Sequence, residues 1–423
     1  MGIKEIELKK GVKLHTISTN KFKTNIIAVF LTTTLSRENV TKDALISSIL
    51  RRGSKSMPTQ EQISKELEEM YGADFNCGLD KTGDNHVLRF YIETINDNFI
   101  LQENENLLKT SFEKLMDIVF NPLEENGEFK KEYVEQEKNN IRRIIEGKID
   151  NKAKYAQDRC IEEMYKNQNF GLYRYGYVED LDSIDSKELY EYYKKLISEA
   201  KIDIYFSGMV EENIEDMVKQ NECIQNLQDR EPVYVPTRIV SRQMDNKENV
   251  VTESMEVTQG KLILGLDINI DDEDLKYDVL VYNSLLGGSA NSKLFQNVRE
   301  KAHLAYVASS SYLRHKNNIF INCGIEIANY DKALEIIKKQ IEDLKNGDYK
   351  DEELENAKNG IIATVKMIED EQDTQITYYF GQELSNSQCS IEEYMKRIEN
   401  VTREKVDYIA NRISINTIYF LKD

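Results

Sequence analysis

The sequence predicts an α+β fold built twice: two homologous domains, each a mainly antiparallel sheet packed with helices. A repeat at constant offset carries the prediction. EYVEQEKNNI (132–141) matches EELENAKNGI (352–361), and Glu132, Glu135, Lys138, Asn139 and Ile141 correspond to Glu352, Glu355, Lys358, Asn359 and Ile361. A second observation agrees with it. Each half runs strands, helices, strands, helix, strand, and each closes on IYF, at 204–206 and 418–420. Copies of about 200 residues are too long for solenoid repeats, so duplicated domains are the better reading.

In chain order, strands are expected around Val12–Ser18 and Ile26–Thr33, then a helix over 41–52 that ends at Gly53. Thr59 with Gln62 is a capping-box pattern opening the next helix, with Ile63, Leu67 and Met70 on its buried face and Gly72 as its stop. Two strands follow, near 73–80 and 85–95, then an amphipathic helix over 105–121. A long charged helix starts near 130, a shorter one over 186–198 is capped by Ser186, and the strand 202–206 closes the half. The strand, helix and glycine stop of 26–53 recur at 262–287, and Thr402 begins the helix corresponding to that at Ser186. Residues 225–250 hold Pro232 and Pro236, two of the four prolines, and few large apolar residues, which is linker chemistry. The expected domains are therefore 1–224 and 251–423, joined by 225–250.

Composition excludes several function classes. A net charge of −19 argues against nucleic acid, whose recognition needs basic patches. No apolar run approaches the roughly 20 residues that span a bilayer, and MGIKEIELKKGVKL has no apolar signal region. Myristoylation fails because position 6 is Ile rather than Ser or Thr. The five cysteines are odd in number, widely spaced and form no CxxC, which suits reduced thiols and a cytoplasmic location. The four histidines (His15, His86, His303, His315) include no i, i+3 or i, i+4 pair that could seed a zinc site. His86, in an alternating strand, reads as structural. No G-x-S-x-G elbow, P-loop or G-x-G-x-x-G is present.

The stretch VLVYNSLLGGSANSKLFQNVREKAHLAY (279–306) is the informative one. Apolar residues at helical spacing stop at Gly287-Gly288, a helix C-terminal signal. Ser289 to Ser292 offer N-caps for a second short helix, whose apolar face is Leu294, Phe295 and Val298. Arg299 lies in its last turn, and Tyr306 opens an alternating stretch, AYVASSSYL, that reads as a strand. Gly287, Gly288 and Ser289 could bind an anion at a helix N-terminus, and His303 could line a cleft or be a solvated turn residue.

This stretch resembles the C-terminal-domain signature of the pitrilysin/insulinase family of zinc peptidases (M16-type inverzincins): a Gly-Gly turn, a Leu-Phe pair, then R-E-x-x-x-L-x-Y. Arg299, Glu300, Leu304 and Tyr306 match it. The resemblance extends over essentially the whole chain. It implies the LuxS/metallohydrolase-like duplicated fold, two α+β domains facing each other as half of a clamshell. It also implies that Arg299 and Tyr306 reach substrate bound at a zinc.

The first domain of such enzymes carries H-x-x-E-H, two zinc-binding His and a water-activating Glu on one helix. Counting back from Gly53, those positions are Ala44, Leu45, Ile46, Ser47 and Ser48 here, and the third ligand position falls at Ile144, with Glu146 nearby. Neither zinc ligand nor general base remains at these positions. Ala44, Ser47 and Ser48 share one helical face, either packed closely or left as a cleft wall, while Leu45, Ile46, Ile49 and Leu50 face the core.

The resemblance therefore implies a subunit without its own metal that supplies Arg299 and Tyr306 in trans. Its partner would be a zinc-bearing subunit, as in the paired active and inactive subunits of the mitochondrial processing peptidase. Its substrate would be an unfolded peptide. A homodimer stays open. The other reading is a non-catalytic peptide-binding or scaffolding protein. Degenerate relatives of this type in Gram-positive bacteria are associated with aminopentanol modification of elongation factor P.

Overall fold

The computed structural model describes residues 3–100, 106–210, 213–237 and 248–423, so part of the 225–250 linker (238–247) lies outside the described residues. The fold is α+β. The first half supplies β1 (Ile3–Lys9), β2 (Val12–Ser18), β3 (Thr24–Thr34), β4 (Asp74–Thr82), β5 (Asn85–Ile95), the short hairpin β6 (Glu124–Glu125) and β7 (Glu128–Phe129), and β8 (Lys201–Gly208). The second supplies β9 (Asn249–Ser254), β10 (Gly260–Ile268), β11 (Ala305–Leu313), β12 (Asn318–Ile325) and β13 (Ile413–Lys422).

Two sheets result, in the orders β1-β2-β8-β3-β5-β4 and β11-β12-β10-β13-β9. Read from the other end, the second is β9-β13-β10-β12-β11, the order of β2-β8-β3-β5-β4. In each, one pair is parallel (β2 with β8, β9 with β13) and the other pairings are antiparallel. The repeat seen in sequence is thus a repeat of topology. It reaches single ion pairs as well. Lys138 meets Glu135 at 2.9 Å and Lys358 meets Glu355 at 2.9 Å, on corresponding helices.

Local signals account for most elements. β3 reads NIIAVFLTTT and is buried along nearly its whole length, because a central strand covered on both faces needs no polar alternation. Thr59 and Gln62 form the reciprocal capping box opening the helix Gln60–Glu69. The helix expected over 41–52 is α-helical only over Val40–Ile49 and tightens to a 3-10 turn at Leu50–Arg52. The cap expected at Ser186 is instead Asp185, whose carboxylate accepts from Glu188 N at 2.8 Å. Ser186 Oγ donates to Glu128 at 2.6 Å.

By contact the chain divides into two compact units. The first is Met1–Glu146, Leu172–Pro236 and Glu371–Asn386; the second is Gly147–Gly171, Thr237–Asp370 and Ser387–Asp423. This differs from the contiguous stretches 1–224 and 251–423, because one helix from each half of the sequence belongs to the other half's sheet. The physical reason is coverage. One face of the first sheet buries Val29, Leu31, Leu88 and Phe90 under helices of its own half, including Val40–Ile49 and Leu107–Phe120. The opposite face, with Ile26, Ala28, Phe30 and Tyr205, is covered by Ile376, Phe380 and Leu384 of the helix Gln372–Leu384. In the second unit Tyr155, Cys160 and Met164 of the helix Lys152–Met164 cover Ile263, Phe320, Tyr419 and Leu421.

Each of these helices is also pinned by polar groups. Glu383 lies 2.9 Å from Lys13 Nζ and 2.9 Å from Lys201 Nζ. Lys201 in turn meets Asp203 at 2.5 Å, and His15 Nε2 lies 3.0 Å from the same carboxylate. In the second unit Glu253 accepts from Tyr155 (2.6 Å), Tyr419 (2.7 Å) and Arg159 (3.1 Å).

Burial works against charge at Asp203 and Glu383, yet Lys201 holds both carboxyls below their ordinary range. A depressed carboxyl pKa contributes stability above the unfolded value of about 4 and loses it as pH falls through the folded value. The urea midpoint should therefore fall steadily below about pH 4. At neutral pH, Lys201→Met leaves Asp203 and Glu383 short of a buried cation and should cost about 3–5 kcal/mol in urea denaturation, far more than an exposed lysine would.

Candidate functional site

The helix Lys276–Asn283 runs into a π-helical turn, Ser284–Gly288, and a second π-helical segment follows at Phe295–Lys301. The core of the second unit takes Leu285, Leu286, Leu294, Val298 and Leu304 from this stretch. A Cβ on Gly287 would lie 2.6 Å from the backbone nitrogen of Ser310, so only glycine lets the turn close against β11. His303 follows the second helix with φ +54°, the left-handed conformation of a helix-ending residue, and its N–H donates to Arg299 O at 3.2 Å.

β11 then begins with an irregularity. Ala305 pairs with Ile325 but Val307 pairs with the adjacent Gly324, leaving Tyr306 as the extra residue of a β-bulge. A bulge turns its side chain out of the strand's alternation. Tyr306 is accordingly 76% exposed, and Val307 beside it is also exposed. The Arg299 guanidinium lies 5.9 Å from the Tyr306 ring centroid and 4.6 Å from that of Phe295, with Glu300 at 3.5 Å. The structure thus brings Arg299 and Tyr306 together, with their polar groups near the surface.

The remaining expected residues are placed as follows. His303 is exposed beside the pair. Gly288 is exposed, Gly287 is buried against Ser310 and Leu294, and Ser289 Oγ donates to Ser284 O at 3.4 Å. Phe295, expected on the core face with Leu294 and Val298, is half-buried against Arg299 instead. The signal for this in the sequence is the i, i+4 spacing of an aromatic and a cation.

In the first unit, Ala44 is fully buried within the core and Ser47 is buried with its hydroxyl donating to Ala44 O at 2.9 Å. Leu45, Ile46, Ile49 and Leu50 are buried too, so this helix is packed on nearly all sides and the small face is close packing rather than an open wall. Ser48 is half-buried, and Ile144 stands 42% exposed on the helix Lys131–Glu146. At the expected ligand positions a methyl, a hydroxyl and an alkyl chain do not fit zinc, which takes imidazole, thiolate or carboxylate, and the Ser47 hydroxyl is no carboxylate base.

The helix Val40–Ile49 is held instead by a buried polar triad that the sequence does not reveal. Tyr192 OH donates to Asp43 Oδ1 at 2.5 Å, His86 Nδ1 lies 2.8 Å from Asp43 Oδ2, and His86 Nε2 lies 2.9 Å from Arg174 O. His86 is structural, in keeping with its strand position. Among the described residues, Glu5, His15 and Glu383 place possible metal-ligand atoms within 4.8 Å of one another. Lys13 already bridges the two glutamates, at 2.6 and 2.9 Å, so a metal ion there would have to displace an ammonium. Among the described residues no helix is long and apolar enough to cross a membrane.

Residues 183–361 match the family model described as Peptidase M16 inactive domain. The chain is 33% identical over 422 residues to the probable inactive metalloprotease YmfF of Bacillus subtilis (strain 168), covering 99% of this chain and 98% of that one. A conserved protein from Enterococcus faecalis V583 has the same fold at a TM-score of 0.89, with 28% identity over 100% of this chain and 99% of that chain. The peptidase M16 inactive domain from Pseudomonas fluorescens shares the fold at a TM-score of 0.80 and 17% identity, covering 100% and 98%.

Placing a histidine at position 44 should be costly. Ala44→His forces a ring into filled core and is expected to lose roughly 1–3 kcal/mol in chemical denaturation. Ser48→His, at a half-buried position, should lose well under half of that.

Proposed function

This chain belongs to the M16 peptidase family as an inactive member, and from that premise we propose that it is the zinc-less subunit of a heterodimeric pitrilysin-type peptidase. It binds an unfolded peptide and lends Arg299 and Tyr306 to a partner that carries H-x-x-E-H. One observation supports this reading above others. The positions that the resemblance assigns to the zinc ligands hold Ala44, Ser48 and Ile144, and the position of the general base holds Ser47, while Arg299 and Tyr306 stand side by side at the surface. A bare Arg–Tyr pair has no hydrolytic chemistry of its own.

In the proposed complex the partner's zinc supplies the activated water. The residues of this chain do the rest of what donors can do. The Arg299 guanidinium and the Tyr306 hydroxyl donate to the oxygen of the scissile carbonyl as negative charge builds on it. Among the described residues β11 is the last strand of its sheet, with β12 on one side, so an extended peptide can add at its other edge through main-chain hydrogen bonds. Val307, exposed next to Tyr306, offers such a peptide an apolar contact.

The same terminal strand favours a second reading, a peptide-binding or scaffolding protein without a catalytic share. Association with elongation factor P modification belongs to that reading.

Both are decided by recovering the tagged protein from its native host and assaying the complex for zinc and peptide cleavage. The expected result is stoichiometric recovery of an H-x-x-E-H subunit, with activity only in the pair. Arg299→Ala combined with Tyr306→Ala should lower turnover about 10²–10³-fold while assembly persists. Unchanged turnover would remove the catalytic share. Recovery of elongation factor P modification proteins with no zinc-bearing subunit would favour the scaffold.

A further inference from the structure

Helix Phe295–Lys301 and the residue before it commit Leu294 and Val298 to the apolar core, where both are fully buried. Phe295 is not used in this way. It is half-buried, and its ring centroid lies 4.6 Å from the Arg299 guanidinium, closer than the Tyr306 ring at 5.9 Å. Among the described residues the carboxylate neighbour of Arg299 is the adjacent Glu300 at 3.5 Å, with both side chains about half exposed. A solvated pair of that kind does little to fix a long side chain. A ring face does more. Its quadrupole attracts the cation, and a stacked guanidinium keeps its in-plane N–H groups free for a planar oxygen acceptor.

We infer that Phe295 is a positioning residue, whose ring holds the Arg299 guanidinium beside Tyr306. The inference rests on the reading of Arg299 as a substrate-binding group and adds the side chain that sets where that group stands. The ring acts before any substrate arrives, so the contact exists in the isolated chain. Its loss leaves the charge of Arg299 intact and frees its direction.

The test uses the full chain labelled with ¹³C,¹⁵N-arginine. Arg299→Lys identifies the Arg299 side-chain signals by their loss. In the unsubstituted protein these signals should carry a ring-current displacement. Phe295→Leu should move them to the values of an unstacked arginine, and Phe295→Tyr should retain the displacement. Arg299 signals that stay the same in the Phe295→Leu variant as in the unsubstituted protein overturn the inference. A second arm measures peptide cleavage by the complex with the zinc-bearing partner. There, Phe295→Leu should lower kcat/KM about threefold and Phe295→Tyr should restore it. If Arg299→Ala lowers turnover and Phe295→Leu does not, Phe295 has no positioning role. If Arg299→Ala itself changes nothing, the proposed catalytic share fails, and the arginine signals still decide the contact.

Discussion

A central strand with two apolar faces must be covered on both, and this constraint shapes the whole molecule. β3 and β10 are each buried almost throughout. The helices that follow them in sequence cover one face only. The other face takes a helix from the opposite half of the chain, Gln372–Leu384 for the first sheet and Lys152–Met164 for the second. A partly buried carboxylate ties each of those helices down: Glu383, on the first helix, meets Lys13 and Lys201, and Glu253, on β9, meets Tyr155 and Arg159 of the second helix and Tyr419. Burying such charge is tolerable only with its partners in place, which makes these contacts specific as well as adhesive.

The site shows the opposite arrangement. Two π-helical segments and a β-bulge interrupt regular structure within residues 284–306. Irregularities of this kind re-aim side chains, and here they bring Arg299, Phe295 and Tyr306 into one surface cluster. The first unit has gone the other way. The helix that would carry zinc ligands has Ala44 in the core and is anchored through Asp43 to His86 and Tyr192. Packing and a buried hydrogen-bonded triad hold this segment.

Legibility follows the range of each signal. The Thr59–Gln62 capping box is readable because both partners lie within one turn. The order of elements along the chain is readable as a repeat because the same spacing recurs in both halves. Ser186 misleads because Asp185, one residue earlier, competes for the same role, and only the side chain directions separate them. Phe295 misleads because apolar spacing marks a face without saying which of its members the core has room for. The small face of Ala44, Ser47 and Ser48 leaves cleft and close packing equally open, since the neighbouring surface comes from residues far away in sequence.

The sequence by itself determined the duplication, the α+β class, the motif that carries Arg299 and Tyr306, and the kinds of atom at the positions where the resemblance implies zinc ligands. These are properties of residue type at fixed spacing. Only the tertiary structure decided which helix covers which sheet, that Tyr306 stands on a bulge, that Phe295 lies against Arg299, and that Asp43 is shared by His86 and Tyr192. Each of these depends on what packs across from a residue, and that partner is chosen by the fold rather than by its neighbours in the chain.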